Sequence, residues 1–107
     1  MNTNRCSLWK AKIYWTNLGA GSGDVRWVFS RIPLAATEDT AAGAAGIVVT
    51  DTAGADDALV ISDISEFSWD QGELLALRIY RDAANAGDTL ANDAGLIGVL
   101  IYPSTPV

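Results

Sequence analysis

The chain has 107 residues, half of them hydrophobic, and its seven basic and thirteen acidic side chains give a net charge of −6. This length supports one domain with one core, and the hydrophobic content argues against disorder. The acidic balance argues against nucleic acid as a partner. With no histidine and one cysteine, an intrachain disulfide, a typical zinc site and a histidine-dependent mechanism are excluded.

The two ends of the sequence are polar. Residues 1–7 have no apolar segment typical of a signal peptide, so we expect synthesis in a cytoplasm. No run approaches the roughly 20 apolar residues of a membrane-spanning helix, so no membrane partner is expected. We interpret residues 1–7 as a flexible arm, residues 8–103 as the folded domain and residues 104–107 as a tail.

The first folded segments alternate between apolar and polar residues. This period of two predicts half-buried strands over residues 8–16 and 25–32. Pro33 is expected to end the second strand, because proline cannot donate to a strand ladder. The core should depend on the aromatic residues Trp9, Trp15, Trp27, Phe29, Phe67 and Trp69.

The middle of the chain is less regular. Residues 34–46 are rich in alanine, but their glycines and polar residues favour a loop or extended segment over a short helix. Short strands are predicted over residues 47–51 and 58–65. Residues 34–37 and 66–69 are weaker strand candidates.

The last third contains two apolar runs, residues 74–80 and 96–102, on either side of a polar loop. We predict both runs to be strands. The second is apolar at both parities, although a small sandwich has only one core. The other face therefore needs cover from a neighbouring element or a partner chain, and we predict contact with another copy of the chain. The predicted oligomer interface consists of Ile97, Val99, Ile101 and Tyr102.

These elements give six strands and two weaker candidates, with no helical period between them. The sequence therefore predicts an all-β fold, an antiparallel β-sandwich of six to eight strands. Eight short strands would suit a jelly-roll-like arrangement.

The loop over residues 82–95 offers oxygen ligands of the kind that calcium prefers. Its spacing does not fit the EF-hand pattern, so we interpret these residues as turn formers and predict no metal and no cofactor. The candidate ligands are Asp82, Asn85, Asp88 and Asp93.

Aromatic and acidic residues can carry binding or catalytic chemistry. The tryptophans could form a sugar-stacking platform, but packing in the core is the preferred interpretation, with Trp69 the best candidate for an exposed aromatic. No pair of acids, phosphate loop or nucleophile motif stands out, so we predict no catalytic residues and no enzyme activity.

Charge is divided unevenly along the chain. Residues 1–36 contain five basic and one acidic residue, and residues 37–107 contain two basic and twelve acidic ones. Neighbouring strands could neutralise each other across this division. Alternatively, Arg5, Lys10 and Lys12 attach the protein to an acidic partner surface.

Two motifs carry a resemblance to a known group. Residues 75–99 follow the pattern L-x-x-R-I-Y-R-D-A-x-x-x-x-D-T-L-x-x-D-A-x-L-I-G-V, and residues 21–27 read G-S-G-D-V-R-W. Together they resemble a β-sandwich domain of tailed-bacteriophage virion proteins, found in head fibres, capsid decoration proteins and tail-fibre-like chains. The resemblance covers most of residues 8–102.

This resemblance implies a jelly-roll-like fold, often trimeric, without catalytic residues. We therefore expect a non-enzymatic virion protein, made in the host cytoplasm, that acts as a capsid decoration (cement) or head-fibre module. Its expected partners are itself, as a homotrimer, and the major capsid protein or another virion protein. The alternative is a carbohydrate-binding or receptor-binding module of a phage fibre, with a surface glycan as its ligand.

Overall fold

The computed structural model describes residues 8–34, 46–69 and 74–104. These residues form two three-stranded antiparallel sheets, with strand orders β4–β1–β6 and β3–β2–β5, that pack into a sandwich. The all-β sandwich prediction is confirmed, with the lower of the expected strand numbers. The strands are β1 Leu8–Asn17, β2 Asp24–Leu34, β3 Ile47–Thr52, β4 Leu59–Ser68, β5 Leu74–Arg81 and β6 Ala94–Pro103.

The core lies between the two central strands, β1 and β2. The period of two in the sequence is retained, since every second residue of β1 from Trp9 to Asn17 is buried. The Trp15 and Trp27 rings lie 6.0 Å apart across the core. Each buried tryptophan removes about 150–250 Å² from water, worth roughly 4–6 kcal/mol before conformational entropy is subtracted. The buried apolar residues are Trp9, Ala11, Ile13, Trp15, Val25, Trp27, Val28, Phe29, Ile64, Phe67 and Leu90.

Two predicted strand boundaries were wrong. β2 continues through Pro33, which pairs with Leu75 of β5. Within the described residues, β2 beyond Phe29 pairs with β5 alone, and proline is tolerated where no ladder bond is lost. The weak strand predicted at residues 66–69 is the end of β4, displaced by a register shift opposite β1. Of the uncertain segment at residues 34–46, Leu34 ends β2, and residues 35–45, which include most of the weak strand candidate at 34–37, lie outside the described residues.

The two sides of the sandwich differ. On one side β3 and β4 contact each other, so the sheets close. On the other side β5 and β6 leave an open cleft of about 540 Å³ that reaches the core tryptophan Trp9.

After β6, the backbone N–H of Ser104 donates a 2.9 Å hydrogen bond to the carbonyl of Leu8 in β1. In the described parts of the chain, no helix is long and apolar enough to cross a membrane.

Candidate functional site

β6 carries the four residues predicted as an oligomer interface, and the structure separates them. Val99 and Ile101 are partly buried and pack against the core. Tyr102 lies on the opposite face of the sheet, across from Lys10. Ile97 is 62% exposed. The four residues therefore do not form one face, although their role in assembly stays a prediction.

An irregularity in the β1–β6 register explains this separation. Tyr14 pairs with Gly98, but the next residue, Trp15, pairs with Leu96, so Ile97 has no partner in β1. An extra residue of this kind is a β-bulge, which reverses the expected alternation beyond it. Ile97 is consequently exposed on the same strand whose Val99 points into the core.

The outer face of the β4–β1–β6 sheet carries an apolar surface that the predicted interface did not include. Ile61, Tyr14 and Gly98 lie side by side across the three strands. Leu59, Ile61 and Leu100 are 55%, 45% and 47% exposed. We call Tyr14, Leu59, Ile61, Gly98 and Leu100 the outer apolar face. The sequence did contain a signal for this face. β4 and β6 have apolar residues at both odd and even positions, so apolar side chains point to both faces of the sheet.

Of the predicted attachment residues, Lys10 and Lys12 lie next to this face on β1, and Arg5 lies outside the described residues. Lys12 donates to a carboxylate oxygen of Asp63 at 2.7 Å. This hydrogen bond raises the pKa of Lys12 above its ordinary value, with burial opposing the shift. Lys10 is exposed, and no ion pair involves it within the described residues. Both lysines line a shallow polar groove with Asp63, Ile64, Ser65 and Tyr102.

Cross-strand pairing accounts for part of the uneven charge distribution. Lys12 meets Asp63, and Arg26 meets Asp82 with 3.2 Å between its Nε and a carboxylate oxygen. Each pair joins a basic residue of the first 36 positions to an acid of the later part. The neutralising interpretation therefore applies to these two cations. Of the lysines in the described residues, Lys10 is the one whose charge is available to a partner.

The open cleft between β5 and β6 is lined mainly by apolar side chains. Trp69 is partly buried at its edge, with its ring centre 5.0 Å from that of Trp9. The Nε1–H of Trp9 donates to the carbonyl of Trp69 at 3.0 Å. Trp69 thus packs on the core and is less exposed than we expected. The lining residues are Trp9, Trp69, Leu74, Leu75, Leu77 and Ile101.

The loop between β5 and β6 is organised by an ion pair. The Nε and Nη2 of Arg81 donate to the two carboxylate oxygens of Asp88 at 2.9 and 2.6 Å. The backbone N–H of Arg26 donates to Asp88 as well, at 3.0 Å. The Arg81 hydrogen bonds lower the pKa of Asp88 against the opposing effect of burial, and the Arg26 bond adds to the lowering. Arg81 also donates to the carbonyls of Leu90 and Asn92.

These contacts bear on the calcium interpretation of the same loop. Asp88 and Asp82 are engaged by arginines, and the Asn85 side chain accepts from the N–H of Gly87 at 2.8 Å, as in an Asx turn. Among the described residues, no three acidic or cysteine side chains cluster as metal ligands would. Side-chain oxygens of Asp82, Asn85 and Asp88 are thus used within the fold, and the independence of the loop from metal stays a prediction.

A buried asparagine fixes the same end of the sandwich and was missed in the sequence. Asn17 is fully buried, and its Nδ2 donates to the carbonyls of Gly21 and Gly54 at 2.9 and 3.0 Å. Its Oδ1 accepts a hydrogen bond from Asn92. Three loops therefore meet at one side chain. The glycine-rich stretch around Gly21 was the available signal, because a Cβ there would collide with Asn92.

Comparisons with protein-family models, curated proteins and solved structures return no match for this chain.

Proposed function

We propose that this chain is a non-enzymatic structural module of a virion, a capsid decoration or head-fibre protein that associates with its own copies and binds the particle surface. The sequence resemblance supplies the virion setting. The observation that carries the proposal is the outer apolar face, where leucine and isoleucine side chains remain about half exposed on a sheet whose other face already forms the core.

Self-association follows from the cost of leaving that surface in water. Covering apolar area is worth roughly 25 cal/mol per Å² before the cost of association is subtracted. A homotrimer, which the resemblance implies, or a comparable close assembly would cover it. Light scattering coupled to size exclusion tests this: a mass of several copies is expected. A monomer at high micromolar concentration would contradict the assembly.

Attachment to the particle is assigned to the basic arm and its neighbour Lys10. A partner surface of acidic chemistry, such as a capsid shell, would take up this charge, and the acidic remainder would face solvent. Removing residues 1–7 should abolish incorporation into particles without unfolding the domain. Lys10→Glu should weaken incorporation more than Lys12→Glu, because Lys12 is already paired with Asp63. Normal occupancy of particles by the truncated chain would refute the attachment.

A second candidate function is glycan recognition by a phage fibre, and the cleft beside Trp69 is the observation that favours it. Aromatic rings stack on sugars, but glycan sites also need converging polar groups, which this mainly apolar cleft offers sparsely. Pull-down on bacterial polysaccharides, with Trp69→Ala as the control, separates the two functions. Retention that is lost in this variant would favour the glycan role.

A further inference from the structure

β6 differs from the other edge strands of the sandwich. Edge strands present unpaired backbone groups, and soluble proteins usually protect them with charged residues. β3 carries one charged residue, and β4 and β5 carry two each: Asp51, Asp63, Glu66, Arg78 and Arg81. The ten residues of β6 include none. Within the described chain, β6 pairs with β1 alone, so its other edge is open.

The rest of the chain is poorly suited to cover this side. The segments outside the described residues are 1–7, 35–45, 70–73 and 105–107, and together they contain two large apolar residues, Met1 and Val107. Shielding an apolar edge and the adjacent cleft requires apolar area. A second copy of the chain supplies it, because it brings the same uncharged strand.

We propose that the β6 strands of two copies pair antiparallel around a two-fold axis at Leu100, joining two three-stranded sheets into one sheet of six strands. This inference rests on the self-association proposed above and adds a contact along the sheet edge, beside the outer apolar face. The bulge at Ile97 and the proline at position 103 limit regular pairing to residues 98–102, whose centre is Leu100.

The side chains fit this register. Leu100 lies opposite Leu100 of the second copy, and Val99 lies opposite the second copy's Ile101. Gly98 lies opposite the second copy's Tyr102. A Cβ built on Gly98 has nothing within 4 Å, so there is room for the tyrosine ring to cover the glycine. Aromatic rings packed across strands over glycine stabilise such pairs.

Electrostatics favour the same strand. In a two-fold contact a residue on the axis meets its own copy, so any charge there meets a like charge. Each chain carries a net charge of −6, and an uncharged strand lets two copies approach with the least repulsion. Pairing through β4 would instead bring Asp63 and Glu66 of the two copies together.

The side formed by β5 and β6 is large enough for a moderate dimer. Ten residues span about 33 Å, and the molecule is 18 Å across its shortest axis. The side therefore presents roughly 600 Å² per copy, somewhat below the standard of about 800 Å² per partner. Exposed side chains on this side, Leu77 and Ile97, add apolar area. A dimer that dissociates on dilution is expected.

Disulfide trapping tests the register directly. In a Cys6→Ser background, Leu100→Cys should form a disulfide-linked dimer on mild oxidation, reversed by reductant. Facing residues of an antiparallel pair have Cα atoms about 4.5–5.5 Å apart, within the range of a disulfide. The matched control is Val48→Cys, an exposed apolar residue on β3, an edge strand of the other sheet, and it should stay largely unlinked.

A charge variant gives an independent measurement. Leu100→Glu should shift the dimer to monomer in light scattering, whereas Val48→Glu, on an edge strand of the other sheet, should not, with circular dichroism confirming that both variants fold. Leu100 pairs with Lys12 within the chain, so glutamate there is compatible with the monomer.

The outcomes separate the two proposals. A wild-type protein that is monomeric would refute both the self-association and the β6 pairing. An assembly with an odd number of copies, or without linkage at position 100, would keep the self-association and refute β6 pairing. An even number, including six if trimers also form through another face, together with linkage at position 100, supports it.

Discussion

Replacing Asp88 by asparagine should destabilise the whole domain, although the residue lies in a loop. Its side chain is 1% exposed, and it accepts hydrogen bonds from both the Arg81 side chain and the Arg26 backbone. Asparagine has nearly the same shape but no charge. Its amide nitrogen would place N–H donors opposite the N–H groups of Arg81 or Arg26, which now donate to a carboxylate oxygen.

The size of the effect follows from what remains buried. Arg81 is 17% exposed and keeps its bonds to two loop carbonyls, so its charge loses its counterion but not all of its partners. Removing one partner of a buried pair costs about 3–5 kcal/mol, and partial exposure of Arg81 favours the lower end, about 3 kcal/mol. For a domain of this size, that lowers the melting temperature by about 10–20 °C.

The assay is urea unfolding followed by tryptophan fluorescence, repeated at several pH values. The folded-state pKa of Asp88 is lowered, so its stabilisation is complete above the ordinary aspartate value of about 3.9 and is lost as the pH falls through the folded-state value. The difference between wild type and Asp88→Asn should therefore be constant above about pH 5 and shrink in acid.

Asp63→Asn is the matched control. It removes a carboxylate from the exposed pair with Lys12, where solvent screens the interaction, and should leave the unfolding midpoint nearly unchanged. Equal midpoints for Asp63→Asn and Asp88→Asn would refute the conclusion that the buried pair fixes the loop.

Three further outcomes are expected. Gly21→Ala should destabilise the fold by about 1–3 kcal/mol because its Cβ overlaps Asn92, whereas Gly98→Ala, which has open space, should be neutral or stabilising in chemical unfolding. Val99→Asp should unfold the chain rather than yield folded monomers, since Val99 packs on the core, and circular dichroism checks this. A chelator should leave the melting temperature unchanged, because the carboxylates of Asp82 and Asp88 are used by arginines; a drop restored by calcium would contradict this.

The sequence predicted the strands well because their period of two reflects burial on one face. Trp15 and Phe29 are fully buried, on faces that the alternation identified. The same rule failed locally at Ile97, because a bulge inserts one residue and changes the side of the sheet to which the following residues point. A bulge depends on the partner strand, so no single-strand pattern reveals it.

Polar contacts between distant residues were beyond sequence reasoning. Asn17 and Asn92 are 75 positions apart, and neither has a periodic signature. Arg81 and Asp88 are closer in the sequence. Aspartate both forms turns and pairs with arginine, so the sequence alone could not decide which of these two roles Asp88 has. Their pairing depends on the loop returning past Arg26 in β2, a tertiary arrangement without a local sequence pattern.

The loop network and the proposed β6 contact are physically linked. Among the described residues, β5 and β6 lie in different sheets and have few direct contacts, and the loop at residues 82–93 connects them on the open side. Arg81 at the end of β5 donates to the carbonyls of Leu90 and Asn92, just before β6 begins. If this tie positions β6, Asp88→Asn should reduce disulfide trapping at position 100 at temperatures where the variant is still folded, and Asp63→Asn should not. Trapping that is unchanged in folded Asp88→Asn protein would show that pairing with β1 alone positions β6.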